Sequence, residues 1–173
     1  MYSHTDTDNL LELMENRLSR IHPRSIEGKR PEAGVLLALT NDPWDPHIVL
    51  TQRSSSLSTH GGEVAFPGGK KDLSDCSLKA TALREAQEEI GLEPDRVRVI
   101  SQLGQVVSKH GVLVTPYVGV IDEMEHLSPN PDELQSVFKV PLRFFLDKQR
   151  FAVDKLSYKG KSIFVPSYRY QGY

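Results

Sequence analysis

Hydrophobic residues recur at three- and four-residue steps in two stretches of the chain, and this period is typical of an amphipathic helix. The first stretch is 9–21, where Asp8 or Asn9 is placed to cap the N-terminus. The second is 77–90, and it is followed by Gly91, a residue type that commonly ends helices in the left-handed conformation. The pattern therefore predicts two main helices.

Short apolar runs bounded by turn residues predict the strands. Residues 33–40 and 47–54 flank the turn signal "NDPWDP" and are predicted to form a hairpin. The other predicted elements are strands at 96–107 and 111–121, a short helix or strand in 132–146, and weaker strands at 150–158 and 161–170. Strands and helices mix without a regular βαβ alternation, which favours an α+β fold or a three-layer α/β/α sandwich over a doubly wound sheet.

Composition narrows the class of protein only a little. The chain has 173 residues, 38% of them hydrophobic and 25% charged, which fits one globular domain. A formal net charge of -2 gives no field that attracts nucleic acid or an anionic membrane. We expect a cytoplasmic protein with no membrane partner. Cys76 is the single cysteine, no secretory signal is visible, and no apolar run is long enough to cross a bilayer.

The segment "REAQEEIG" concentrates acidic residues in the second predicted helix. Glu85, Glu88 and Glu89 are spaced i, i+3 and i+4, so their side chains share one stripe beside the apolar face. One interpretation is a solvent-facing surface on which Arg84 and Lys79 balance the acids. The other is a site for a hard divalent cation, because carboxylate oxygens are the preferred ligands of Mg²⁺ and Mn²⁺.

Directly upstream, the segment "FPGGKK" contains two adjacent glycines. Gly68 and Gly69 allow the backbone to approach a metal or a phosphate closely, although a plain glycine turn is the simpler reading of this loop taken alone. The acidic stripe and the glycines together favour a site.

Residues 68–92, "GGKKDLSDCSLKATALREAQEEIGL", resemble the Nudix box, whose pattern is G-x5-E-x7-R-E-U-x-E-E-x-G-U with U aliphatic. The second half of the pattern matches in order from Arg84 to Leu92. The first half contains one extra residue, so the first glutamate of the box falls on Cys76, and the neighbouring Asp75 is the expected substitute.

Residues 49–69, "VLTQRSSSLSTHGGEVAFPGG", resemble the signature of the coenzyme A pyrophosphatase branch of the Nudix family. Arg53, Gly62 and Phe66 fall in register with that signature, but its second arginine is Ser58 here. The resemblance implies a Nudix-type α/β/α sandwich with a mixed β-sheet. It also implies hydrolysis of the pyrophosphate bond in a nucleoside diphosphate linked to another group, with coenzyme A as the leading substrate.

The resemblance implies roles for individual residues. Glu85, Glu88 and Glu89 are expected to bind Mg²⁺ or Mn²⁺, with a backbone carbonyl of Gly68 or Gly69 completing the ligand set. Arg84 is expected to orient these carboxylates by bidentate pairing.

Substrate contacts are expected from Arg53, for which structural pairing is the alternative, with Gly62, Phe66 and Gly68 in the same segment. The general base is left open between a glutamate of the box, Glu133 and, with less support, His110. His60 is ambiguous, and Cys76 has no expected catalytic role.

Three readings of function stay open at this point. The first is hydrolysis of coenzyme A or its derivatives to 3′,5′-ADP and 4′-phosphopantetheine. A broader ADP-ribose or NADH pyrophosphatase is the second, favoured by Ser58, and a Nudix-like module that binds a nucleotide without cleaving it is the third. The presence of all three box glutamates argues against that third reading, and no basic stripe interleaved with aromatics suggests a nucleic-acid partner.

We expect the N-terminal helix and connector to occupy 1–30 and the Nudix domain to occupy 31–173. The last strand and helix usual in the family are expected to be absent after Tyr173. The expected partner is a small nucleotide substrate, and a homodimer is left open.

Overall fold

The structure, a computed structural model, describes residues 9–55, 61–122, 126–146, 152–158 and 161–173. Its helices are α1 (Leu10–Leu18), α2 (Leu78–Ile90) and α3 (Leu142–Leu146), with a 3-10 turn at Pro94–Arg96. Its strands are β1 (Glu32–Thr40), β2 (His47–Arg53), β3 (Val64–Ala65), β4 (Gly68–Lys70), β5 (Arg98–Gln102), β6 (Val106–Val107), β7 (Leu113–Ile121), β8 (Leu134–Pro141), β9 (Ala152–Tyr158) and β10 (Lys161–Ser167). None of the described helices combines the length and apolar composition needed to cross a bilayer.

Eight of the strands form one mixed sheet built around β1. β1 runs parallel to β7 along its whole length and antiparallel to β2 and β4. β8 pairs with the outer side of β2, and β5 and β6 pair with β7. β9 and β10 form a separate antiparallel pair. A mixed sheet with helices is the fold predicted above, and that prediction is confirmed.

β1 and β2 form the predicted hairpin only near its turn and diverge beyond it. The two strands are registered at Leu39 and Ile48, near the turn, whereas the first half of β1 pairs with β4 through Ala33 and Lys70. β3 pairs with the second half of β2. Residues 64–70 therefore fill the space between the diverging strands, and the expected glycine loop is wrong at Gly68–Lys70, which is a strand.

Both predicted helix starts are capped by side chains. Asn9 Oδ1 accepts a hydrogen bond from the Glu12 N–H at 2.9 Å, and Ser77 Oγ accepts one from the Ala80 N–H at 3.1 Å. α2 ends where predicted, because Gly91 adopts the left-handed conformation with φ of 70°. α1 ends at Leu18, three residues before the predicted end.

Two other predictions are refined. The expected strand at 96–107 divides into a 3-10 turn, β5 and β6. The ambiguous segment 132–146 contains both a strand, β8, and a short helix, α3.

Side chains of β1 alternate between two apolar clusters on opposite faces of the sheet. Leu36 and Ala38 are fully buried in the cluster that packs on α2. Leu39 belongs to the cluster on the other face, with Leu11 of α1 and Phe144 of α3. This is the three-layer arrangement expected for an α/β/α sandwich, with α2 alone on its face among the described helices.

Candidate active site

The approach of α2 to the sheet depends on a glycine in the middle of β1. A Cβ atom at Gly34 would overlap the carbonyl oxygen of Leu78 and lie 3.0 Å from the backbone nitrogen of Ala82. The helix therefore lies closer to β1 than any side chain at this position allows. Sequence reasoning missed Gly34, although a glycine inside an apolar strand is a known signal of close backbone approach.

The carboxylate of Glu89 is the buried centre of the acidic group on α2. Glu89 is only 5% exposed, and its Oε2 accepts a hydrogen bond from the Gly68 N–H at 3.0 Å. Nη1 of Arg53 lies 3.8 Å from its Oε1. Burial, with the negative charges of Glu85 and Glu133, raises the pKa of Glu89 to about 7 against the opposing effects of Gly68 and Arg53.

Glu85 lies directly over the second glycine of β4. A Cβ atom at Gly69 would overlap the Glu85 carboxylate, with Oε1 only 2.7 Å away. Burial raises the pKa of Glu85, while the hydrogen bond from Arg84 opposes that shift. The missing side chain at Gly69 thus leaves the room that the Glu85 carboxylate occupies.

Arg84 connects the acids of α2 to the preceding loop. Its Nε and Nη2 each lie 3.0 Å from an oxygen of Asp75, which makes a bidentate pair. Nη2 also lies 2.9 Å from Glu85 Oε1, and Nη1 lies 2.9 Å from Glu88 Oε2. The Arg84 hydrogen bond holds the pKa of Asp75 well below its usual range, and the Thr81 hydroxyl, donating at 2.9 Å, adds to the effect.

The loop before β8 carries Glu133 to this end of the sheet. The Asn130 N–H donates to the Glu89 carbonyl at 2.8 Å, so the loop covers the last turn of α2. The Ser54 N–H donates to the Glu133 carbonyl at 2.9 Å, which fixes Glu133 beside the end of β2. The charge of Glu133 is close enough to raise the pKa values of both Glu85 and Glu89.

Arg53 lies where the pairing of β2 with β8 becomes irregular. The partner changes from Ser136, opposite Gln52, to Leu134, opposite Arg53, so Gln135 of β8 is the extra residue of a bulge. The Nε of Arg53 is buried and has no hydrogen-bond partner among the described residues. Gly62, at a φ of 77°, closes the neighbouring turn by donating its N–H to the Arg53 carbonyl at 3.1 Å.

The remaining predicted residues lie elsewhere. The Phe66 ring packs against the apolar cluster on the face opposite α2, so the structure does not bring it to the carboxylates. His110 is exposed in the turn between β6 and β7, next to Lys109, whose Nζ lies 2.9 Å from Glu63 Oε1. Ser58 and His60 lie outside the described residues.

The carboxylates of α2 are of the ligand type that a hard divalent cation prefers, but in this structure Arg84 holds two of them. Across the described ranges no three Asp, Glu, His or Cys side chains are grouped closely enough to hold a metal ion. Glu85 and Glu88 point to Arg84, and Glu89 points to Gly68. Burial is the main cause of the raised pKa values of Glu85 and Glu89, and a bound cation would favour the charged forms of both carboxylates.

Comparisons with known proteins agree with the fold. A family model described as the NUDIX domain matches residues 28–156, so the chain belongs to the Nudix family, as predicted. The mouse protein "Peroxisomal coenzyme A diphosphatase NUDT7" is 42% identical over 125 residues, which cover 72% of this chain and 53% of that protein. "Uncharacterized Nudix hydrolase NudL" of Photorhabdus laumondii is 40% identical over 86% of this chain and 79% of its own length.

Solved structures of Nudix hydrolases share the fold of this chain. The "Crystal structure of a Nudix Hydrolase from M. Smegmatis, RenU" aligns with a TM-score of 0.54 and 26% identity, over 65% of this chain and 71% of that one. The chain spans about half the length of the mouse relative. The family match and the names of these relatives support the prediction of a pyrophosphohydrolase.

Proposed function

We propose that this chain hydrolyses the pyrophosphate bond of a nucleoside diphosphate linked to another group, with coenzyme A or a derivative as the leading substrate. One observation carries the proposal. Glu89 is buried with a raised pKa beside Glu85 and Glu133, and it is held between the Gly68 N–H and Arg53. Such a group of perturbed carboxylates, next to an arginine and a glycine strand, is typical of a functional site.

Glu85, Glu88 and Glu89 would hold Mg²⁺ or Mn²⁺ together with a backbone carbonyl at Gly69. When bound, the ion would neutralise pyrophosphate charge and lower the pKa of water. Gly69 suits this position because Glu85 already occupies the volume of the missing side chain. Arg84 is a positioning residue in this proposal, since its described contacts are with acids and the Lys70 carbonyl.

Arg53 is assigned to the substrate phosphates. Its guanidinium lies 3.8 Å from the Glu89 carboxylate, and its Nε has no hydrogen-bond partner among the described residues. A planar guanidinium can donate two parallel hydrogen bonds to phosphate oxygens, so Arg53 can fix the orientation of the pyrophosphate. The Gly62 N–H donates to the Arg53 carbonyl, and the Gly68 N–H contacts the same Glu89 carboxylate as the Arg53 guanidinium.

Glu133 is assigned as the group that accepts the proton of the attacking water. If the three glutamates of α2 serve as metal ligands, Glu133 is a further described carboxylate whose charge reaches Glu85 and Glu89. Its backbone is fixed by the Ser54 N–H and by the turn bond that its own N–H donates to Asn130 at 3.1 Å. A positioned carboxylate of this kind typically contributes 10²- to 10⁴-fold to rate.

The preference for coenzyme A rests on sequence. The segment 49–69 resembles the signature of that branch, and the mouse relative is named a coenzyme A diphosphatase. Ser58, which replaces an arginine of the signature, supports the second candidate, a broader pyrophosphatase for ADP-ribose or NADH.

Product analysis separates these candidates. The purified chain is incubated with Mg²⁺ or Mn²⁺ and with coenzyme A, ADP-ribose or NADH in parallel, and products are resolved by chromatography. Release of 3′,5′-ADP from coenzyme A at the highest rate is expected. Faster cleavage of ADP-ribose or NADH would assign the broader activity, and no turnover with any substrate would contradict the proposal and favour a binding module.

A further inference from the structure

The turn between β6 and β7 carries a lysine to the residue that precedes β3. Nζ of Lys109 lies 2.9 Å from Oε1 of Glu63, although the two residues are 46 positions apart in the chain. The turn is closed by hydrogen bonds from the Gly111 N–H to the Ser108 carbonyl at 2.9 Å and from the Ser108 N–H to the Val112 carbonyl at 2.8 Å. The lysine therefore extends from a tight turn rather than from a long loop.

Glu63 lies directly across from Arg53. The Arg53 N–H donates to the Glu63 carbonyl at 3.0 Å, and the Gly62 N–H donates to the Arg53 carbonyl at 3.1 Å. Two residues thus oppose one, and the first of the two is a glycine at a φ of 77°, which is the pattern of a glycine bulge. Side chains that face each other across an antiparallel pair begin about 5 Å apart.

Glu63 and Arg53 also project to the same face of the sheet. Ala65 of β3 pairs with Thr51 of β2, so these two side chains share a face. Because side chains alternate along a strand, Glu63 lies on the face of Ala65, two residues later. Arg53 lies on the face of Thr51 for the same reason, and its contact with Glu89 identifies this as the α2 face. The lysine paired with Glu63 therefore brings a second positive charge to the face that holds the candidate active site.

The ammonium group of Lys109 is accessible to a ligand. The Lys109 side chain is 62% exposed and that of Glu63 is 49% exposed. An ammonium group has three N–H donors, and Oε1 of Glu63 accepts one of them. An exposed ion pair typically adds little to the stability of a fold, so the pair is not required to hold the two turns in place.

We propose that Lys109 contacts a phosphate of the substrate beside the phosphate that Arg53 contacts, and that Glu63 positions the lysine. The inference rests on the proposed function and names a specificity-determining residue of that site. A nucleoside diphosphate linked to another group has two neighbouring phosphates, and each is negatively charged at neutral pH. The guanidinium of Arg53 can donate its parallel pair of hydrogen bonds to one of them, and a lysine binds the other as a point charge.

The test uses adenosine 5′-diphosphate in metal-free buffer. Its binding to the whole chain is measured by isothermal titration calorimetry, which requires no hydrolysis. Lys109→Gln removes the positive charge and keeps a polar side chain. Arg98→Gln is the matched control, because Arg98 is 58% exposed and its Nη2 also pairs with a glutamate, Glu15. Glu15 belongs to α1, which packs on the opposite face of the sheet.

Lys109→Gln is expected to weaken binding of the diphosphate about fivefold or more, while Arg98→Gln leaves it within about twofold. Glu63→Gln keeps the lysine and is expected to weaken binding less than Lys109→Gln does. Equal affinity in the wild type and Lys109→Gln, equal losses in Lys109→Gln and Arg98→Gln, or no saturable binding would overturn the proposal. So would a loss in Glu63→Gln as large as that in Lys109→Gln, because the pair would then act only by joining the two turns.

The outcome is independent of hydrolysis. If the chain cleaves no pyrophosphate bond but Lys109→Gln loses affinity for the diphosphate, the phosphate contact is supported and the proposed function fails. If the chain cleaves its substrate and Lys109→Gln leaves both KM and diphosphate affinity unchanged, the function is supported and the role of Lys109 is rejected.

Discussion

The backbone N–H of Gly68 lies 3.0 Å from Oε2 of Glu89, and this hydrogen bond joins β4 to the last turn of α2. β4 occupies the gap between the diverging strands β1 and β2, so the bond places a buried carboxylate at the point where the sheet opens. The donor stabilises the charged form of Glu89, while burial opposes it. The chain thus keeps a costly charge in one defined position.

The buried carboxylate of Glu89 predicts that the stability of the fold depends on pH. The pKa of Glu89 rises from 4.5 to about 7 on folding, so between these values the folded state binds the proton more tightly than the unfolded chain. The free energy of unfolding must therefore fall as pH rises through this window. Glu89→Gln removes the effect and keeps a hydrogen-bond acceptor for Gly68.

In metal-free buffer we expect Glu89→Gln to be more stable than the wild type at pH 8, by up to about 3 kcal/mol. The difference should shrink towards pH 4.5. Urea denaturation at both pH values measures it, and a difference that does not change with pH would contradict the account.

The Asp75–Arg84 pair predicts the opposite pH dependence. The pKa of Asp75 is lowered on folding, so its contribution to stability is complete above the unfolded value of 3.8 and is lost as pH falls below it. Asp75→Asn should cost about 1.5–3 kcal/mol at pH 7, the usual range for a hydrogen bond to a charged group. In thermal unfolding, the stabilities of Asp75→Asn and the wild type should become equal in strong acid. Asp95→Asn, in the exposed 3-10 turn, is the control and should leave the stability unchanged.

Gly34 sets the position of α2 through close backbone contact. Gly34→Ala is expected to cost at least about 1–3 kcal/mol, because its Cβ would overlap the backbone oxygen of Leu78 and the helix must move. Gly104→Ala is the matched control, since its Cβ would lie 3.8 Å from the nearest atom, the backbone nitrogen of Arg24. Calorimetry measures the melting temperatures of Gly34→Ala and Gly104→Ala. Equal values would show that the position of α2 does not depend on Gly34.

Local patterns in the sequence were sufficient for α2, whereas α1 ends three residues before its predicted end and α3 was left open as a helix or a strand. Ser77 and Gly91 mark both ends of α2 through capping and the left-handed conformation, which are properties of a few neighbouring residues. The grouping of Glu85 and Glu89 on one stripe follows from helical spacing alone.

Features that depend on distant parts of the chain were not predictable. The strand at Gly68–Lys70 exists because β1 and β2 diverge, and only the tertiary structure shows that divergence. The position of Phe66 on the opposite face, and the role of Gly34 against Leu78, depend in the same way on how layers pack. Residues 132–146 satisfied both helix and strand patterns because they contain one of each.

Glu133 tests the assignment of the base separately from metal binding. Glu133→Gln is expected to lower kcat by about 10²- to 10⁴-fold while KM and the metal concentration for half-maximal rate change little. Steady-state kinetics at varied Mg²⁺ measures all three. An unchanged kcat would reassign the proton acceptor to a glutamate of α2, and a large shift in metal requirement would make Glu133 a ligand.

Turnover by Glu89→Gln under titration with Mg²⁺ or Mn²⁺ tests whether the acidic group on α2 is the hydrolytic site, with whichever pyrophosphate substrate the wild type cleaves fastest. Glu12→Gln, an exposed residue of α1, serves as the control. We predict a loss of at least about 10²-fold for Glu89→Gln, a weaker response to added metal, and wild-type rates for the control. Wild-type turnover and metal dependence in Glu89→Gln would show that the acidic group on α2 is not the hydrolytic site.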